Sequence, residues 1–120
     1  MANARRKSRL ASVLRTEVAE LFLHEVRDEA LREVNITDVE LTADLKRARV
    51  YFVADRQTPK AVDSGLRRVA PWVRAKLAER LAMRSVPQLE FRRDEHARRL
   101  ASLYKAFDAI AAERGNVSGS

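Results

Sequence analysis

"RRVAPWVRAK", residues 67–76, decides how the second half of the chain is read. Apolar and basic residues recur around it at helical spacing, yet Pro71 stands in the middle, followed by Trp72, the only tryptophan. A proline inside a helix removes one backbone donor and crowds the carbonyl four residues earlier, at a cost of about 3 kcal/mol. It also pushes the preceding residue, Ala70, out of the helical region and presets its own φ for a new helix. On these grounds the cheapest geometry is a kink, with one helix stopping at Pro71 and another starting there. The amides of Trp72, Val73 and Arg74 would then project from a helix N-terminus without intrahelical acceptors, a position suited to a phosphate.

Outward from this junction the elements follow in both directions. Upstream, Thr58 and Pro59 make a helix start, an N-cap followed by proline at the first helical position. Val62, Leu66 and Val69 give that helix its apolar stripe; Val73, Leu77 and Leu81 do the same for the helix after Pro71, which runs to about Met83. Pro87 closes the region, and "QLEFRR" (88–93) reads as a short strand with Leu89 and Phe91 on one face. In "RARVYFVA" (47–54), Ala48, Val50, Phe52 and Ala54 share one side while Arg47, Arg49, Tyr51 and Val53 share the other. "VNITDVELT" (34–42) also alternates, but slips one step between Ile36 and Val39, which predicts a bulge. "ADLK" (43–46) is the turn of an antiparallel hairpin.

At the N-terminal end, Leu10, Val13, Leu14, Val18, Leu21, Phe22 and Val26 predict a first helix from Lys7 to Val26. Residues 1–6 read as a flexible basic arm. Asp94 can cap a last helix over 95–114, where Leu100, Leu103, Tyr104, Phe107 and Ile110 recur at helical spacing; 115–120 reads as a flexible tail. The order is αββααβ plus a terminal helix. A hairpin, two helices and a third strand place helices on one face of a small mixed sheet, an α+β domain spanning 7–94. The apolar stripe of the terminal helix should dock on that domain or on a partner.

Composition narrows the function. The chain has 120 residues and no cysteine, which excludes disulfides and thiolate metal sites. It shows no secretory h-region and no apolar run of membrane-spanning length, so a cytoplasmic protein with no membrane contact is expected. The net charge is +7, unevenly spread: residues 17–44 carry nine acids and two bases, −7, which leaves +14 elsewhere. Such polarity would orient the protein towards a polyanion, acidic segment away. Enzyme chemistry finds no support. His24 sits among helix-surface charges and His96 follows a helix-capping aspartate. No cysteine nucleophile, phosphate-cradling glycine loop or HExxH is present. No cofactor and no metal are expected.

The cations form three groups. Arg74 lies in the turn after Pro71, and Lys76, Arg80 and Arg84 follow at i, i+4 and i+8 as a stripe. Trp72 beside them either stacks on a base or packs at the junction. Lys46, Arg47 and Arg49 belong to the turn and second strand. There, Arg47, Arg49 and Tyr51 either face RNA or are engaged across the sheet by Glu40 or Asp38. Arg5, Arg6, Lys7 and Arg9 at the N-terminal end either clamp a nucleic-acid backbone or remain solvated. Two helices joined by a tight break also allow a DNA-binding helix-turn-helix, and the terminal stripe allows a protein-interaction module.

Three segments together resemble bacterial ribosome-binding factor A: Arg6 leading into the first helix, the hairpin "VNITDVELTADLKRARVYF", and "WVRAKLAERLAMRSVPQLEFRRD". In the last, Val73-Arg74, Leu77, Arg84, Pro87, Leu89, Phe91 and Asp94 fall at positions of the family pattern; the resemblance covers roughly residues 6–95. It implies a single KH-like domain of type II order, in which a helix-kink-helix replaces the glycine loop. The family marks that kink with Ala-x-Gly before an aromatic, whereas this chain has Val69, Ala70 and Pro71 before Trp72. The resemblance further implies a non-enzymatic, monomeric factor. It would bind 16S rRNA and the free 30S subunit during maturation, act in 16S 5′-end processing and in growth in the cold, and have room for a ribosome-associated GTPase as partner.

Overall fold

Side-chain alternation in the hairpin sets the sheet, and the sheet sets where the helices lie. A computed structural model describes residues 2–54 and 58–118. In chain order it contains α1 (Ala2–His24), a 3₁₀ turn (Glu29–Leu31), β1 (Asn35–Leu41), β2 (Arg47–Val53), α2 (Pro59–Leu81), β3 (Gln88–Arg93) and α3 (Glu95–Ser118). The strands form one sheet in the order β1-β2-β3, β1 antiparallel and β3 parallel to the central β2. The architecture is α+β, as expected.

Ala48, Val50, Phe52 and Ala54 all point into the core, as the alternation predicts. Val39 and Leu41 join them from β1, Leu14, Val18, Leu21 and Phe22 from α1, and Val62, Leu66, Val73 and Leu77 from α2. The predicted bulge is present as a register shift between Ile36 and Asp38. It frees Thr37 to donate its hydroxyl to Asp94 Oδ2 at 2.5 Å. Asp94 Oδ1 in turn accepts the Ala97 amide at 2.9 Å, so the expected cap of α3 is made and is tied to β1. These two hydrogen bonds, the backbone one first, hold the Asp94 carboxyl below its ordinary value.

The reading of Pro71 as a break between two helices is corrected. α2 runs unbroken for 23 residues from Pro59 to Leu81 with Pro71 inside it, so the observed order is αββαβα. The physical reason lies in phase. Val62, Leu66, Val69, Val73 and Leu77 follow one another at spacings of four and three, a single stripe straight through the proline. Burying four of them at about 1.5–3 kcal/mol each outweighs the roughly 3 kcal/mol cost of an interior proline. Pro71 itself is exposed on the opposite side, where water can serve the Arg67 carbonyl that loses its amide partner.

Three boundaries also differ from expectation. α1 begins at Ala2, so Arg5 and Arg6 lie on helical turns and not in an arm. α2 ends at Leu81, where Ala82 takes a left-handed conformation (φ 49°) and donates its amide to Ala78 O; this places Arg84 outside the helix. α3 extends to Ser118, beyond the expected end at 114. Gly65 lets α2 approach the 3₁₀ turn, since a Cβ there would meet Leu31 Cδ2 at 2.9 Å. α3 contributes nothing to the core, and its apolar stripe faces solvent rather than docking on the domain.

Stability measured by chemical denaturation should reflect this packing. Leu77→Ala should cost about 2–5 kcal/mol, whereas Pro71→Ala should stabilise by on the order of 1 kcal/mol, because α2 is already continuous there. Asp94→Ala should cost about 1 kcal/mol at neutral pH. Because the native carboxyl titrates below its ordinary value, this contribution is present above the unfolded-state pKa of 3.8 and is lost as pH falls through the native one. The gap between wild type and Asp94→Ala should therefore narrow only below about pH 4.

Candidate nucleic-acid interface

The continuity of α2 removes the expected phosphate site at its middle. The amides of Trp72, Val73 and Arg74 lie in the interior of α2 and not at a helix N-terminus. The same continuity leaves no helix-turn-helix. Trp72 is 37% exposed, with Lys76 Nζ 5.9 Å from its ring centroid, so the ammonium already sits over one aromatic face.

The stripe Arg74, Lys76, Arg80, Arg84 is also dispersed. Arg74 and Lys76 leave α2 on different sides of the buried stripe, and Arg84 belongs to the connection to β3. Arg80 reaches α1, bonding Glu17 Oε2 at 3.2 Å and pairing with Glu25. The hydrogen bond from Arg80 to Glu17, reinforced by the charges of Glu25 and Glu20, raises the guanidinium above its ordinary value. The acidic segment thus does more than turn away from a polyanion: it occupies bases. Asp28 holds Arg68 in the same way at 3.0 Å.

On the open face of the sheet the cross-strand alternative prevails. Arg49 pairs with Glu40 on β1 at 3.2 Å, and Arg47 with Glu90 on β3 at 3.2 Å. Glu90 also lies 3.9 Å from Arg49 Nε and 3.6 Å from Arg92, making it the counter-charge of three arginines. Its role was hidden in the sequence because it depends on the parallel register, in which Glu90 lies beside Arg49.

One place does gather predicted residues from distant segments. Lys46 and Arg47 from the hairpin and Arg74 from α2 line a groove of about 650 Å³, floored by Leu10, Met83, Val86 and Pro87. Arg74 donates to Val86 O at 2.9 Å, and its buried Nε has no hydrogen-bond partner among the described residues. Leu10 brings α1 to the groove, with Arg5, Arg6, Lys7 and Arg9 on the adjoining turns; of these, Arg5, Arg6 and Arg9 are exposed. Arg84 sits in the connection that supplies Met83, Ser85 and Val86. Among the described residues no ion pair engages Arg5, Arg6, Lys7, Arg9 or Arg84. Leu45 also lines the groove, 41% exposed and left-handed (φ 60°). Sequence reading missed it because a leucine in a turn carries no signal of its φ. The arrangement offers fixed cations around an apolar floor. Such cations can hold a phosphodiester backbone, and Asp44 sets one carboxylate among them.

Among the described residues no cluster of His, Asp and Glu could hold a metal ion, and no helix is long and apolar enough to cross a membrane. His24 is exposed, as expected.

Comparison with known proteins agrees with this architecture. The family description "Ribosome-binding factor A" matches residues 6–107, reaching further into α3 than the motifs alone suggested. Ribosome-binding factor A of Prochlorococcus marinus is 34% identical over 118 residues, covering 95% of this chain and 96% of its own. That of Synechocystis is 36% identical over 104 residues, covering 82% of this chain and 77% of its own. The crystal structure of the Thermus thermophilus factor superimposes with a TM-score of 0.67 at 30% identity, over 72% of this chain and 93% of that one. A homology model of the Thermus factor fitted into a cryo-electron-microscopy map of a 30S complex gives 0.59 at 30% identity, over 68% and 88%. With a family match over most of its length, a shared sheet-and-helix architecture and relatives matched nearly end to end, this chain belongs to the ribosome-binding factor A family.

Proposed function

We propose that this chain is a non-enzymatic assembly factor of the small ribosomal subunit. It binds 16S rRNA in free 30S particles in the cytoplasm and promotes their maturation, including processing of the 16S 5′ end and growth in the cold. A ribosome-associated GTPase as partner belongs to the same reading. The observation that carries it is the family match over residues 6–107, with a structural neighbour described in a 30S complex. The groove of Lys46, Arg47 and Arg74, extended by the basic turns of α1 and by Arg84, supports it as the RNA-facing side of a KH-like domain.

The ion pairs rank the cations. A base with no carboxylate beside it releases counterions when it meets a phosphate. A base already paired must exchange one anion for another and gains less. Arg5, Arg6, Lys7, Arg9 and Arg84 therefore supply the larger part of the attraction, and Lys46, beside Asp44, supplies less. Arg47, Arg49 and Arg80 also supply less, and Lys76 over the Trp72 ring acts with Trp72 as a flanking contact.

Lysate sedimentation should place the protein with free 30S particles and not with 70S ribosomes, and its loss should leave 16S precursor with an unprocessed 5′ end. Travel with 70S alone would overturn the reading. Lys46→Glu combined with Arg84→Glu should weaken 30S binding and lower its salt slope by about two, near 0.9 for each phosphate that is no longer neutralised. Arg80→Glu should instead lower the unfolding temperature through loss of the Glu17 and Glu25 pairs, with a smaller change in salt slope than Arg84→Glu gives.

A further inference from the structure

The most unusual surface of the molecule is α3. Leu100, Leu103, Tyr104, Phe107 and Ile110 are 39%, 50%, 65%, 58% and 47% exposed, all along one side of one helix. Single exposed apolar residues are ordinary; a contiguous row of five large ones marks a surface meant to be covered. No residue of α3 belongs to the core cluster, so the body of the protein does not cover it.

The pattern on α3 specifies what does. Leu100, Leu103, Phe107 and Ile110 are spaced three, four and three apart, the a/d spacing of a coiled-coil seam. Ala97, Ala106 and Ala111 flank the seam and allow a second helix to approach closely. Arg99 and Glu113 lie two heptads apart, hence on the same edge of the seam, with opposite charge. Both are exposed, and neither has a partner among the described residues.

We infer that α3 pairs with α3 of a second copy, antiparallel, to form a homodimer. In that arrangement Leu100 packs against Ile110 of the second copy, and Leu103 against its Phe107. By the two-fold symmetry each such layer occurs twice. The same register sets Arg99 beside Glu113 of the second copy at both ends of the seam. A parallel pairing would leave both charges unmatched, because neither Arg99 nor Glu113 has an opposite charge five positions further along, where a parallel register places its cross-helix neighbour. The surface is therefore self-complementary in charge only when the helices run in opposite directions. The seam is short, so the pairing depends on concentration, and the expected monomer is one side of the equilibrium.

The test is sedimentation of the full chain from micromolar to millimolar concentration. Wild type should convert from monomer to dimer across that range. Phe107→Asp should abolish the dimer while leaving denaturation of the body unchanged, since α3 holds no core residue. Arg99→Glu alone, or Glu113→Arg alone, should weaken dimerisation about tenfold, from weaker attraction and added repulsion at two places. Mixing these two single variants, or combining both substitutions in one chain, should restore wild-type affinity. A wild type that stays monomeric throughout overturns the proposal. So does a dimer indifferent to the charge exchanges. Loss of 30S affinity in Phe107→Asp with no change in association state would assign the stripe to the ribosome and likewise overturn it.

Discussion

Everything in the body of this protein depends on one stripe of α2 lying flat in the core. Val62, Leu66, Val73 and Leu77 stand on a single helical face and meet both the sheet and α1. That burial is what allows a proline to remain inside a 23-residue helix. It also sets the crossover that brings β3 parallel to β2, because α2 must span the sheet before the chain returns. A separate helix begun at Pro71 would release Val73 and Leu77 from the phase of Val62 and Leu66.

Charge is organised by the same packing. Once α1 and α2 share the buried face, the acids on α1 lie within reach of Arg80, and the 3₁₀ turn within reach of Arg68. On the other face the parallel register sets Glu90 among three arginines. A net charge of +7 therefore understates the contrast between regions. Cations over much of the surface are neutralised locally. Those along the N-terminal turns of α1 and at Arg84 are not, and the groove lined by Lys46 and Arg74 lies between them.

The link between body and terminal helix is a small polar joint. The bulge in β1 frees Thr37, which bonds Asp94, which caps α3. A local irregularity in one strand thereby fixes where a helix some sixty residues later begins. Beyond that joint α3 owes nothing to the core, and its surface is shaped for association instead.

The sequence by itself determined several local features that depend on neighbours along the chain. The strand alternation, the bulge, the Thr58–Pro59 start of α2, the Asp94 cap and the apolar row of α3 all stood where their patterns placed them. Each is governed by residues a few positions apart, so each was legible. The continuity of α2 was legible too, in the unbroken phase from Val62 to Leu77, but the local cost of Pro71 argued the other way and only burial could outweigh it. The candidate site was the least legible part. Which arginines are free depends on register and helix contact between segments 40 to 63 residues apart, as for Arg68–Asp28, Arg47–Glu90 and Arg80–Glu17. Side-chain pairing over such separations is decided by tertiary packing, because an exposed guanidinium binds whichever carboxylate the fold brings to it.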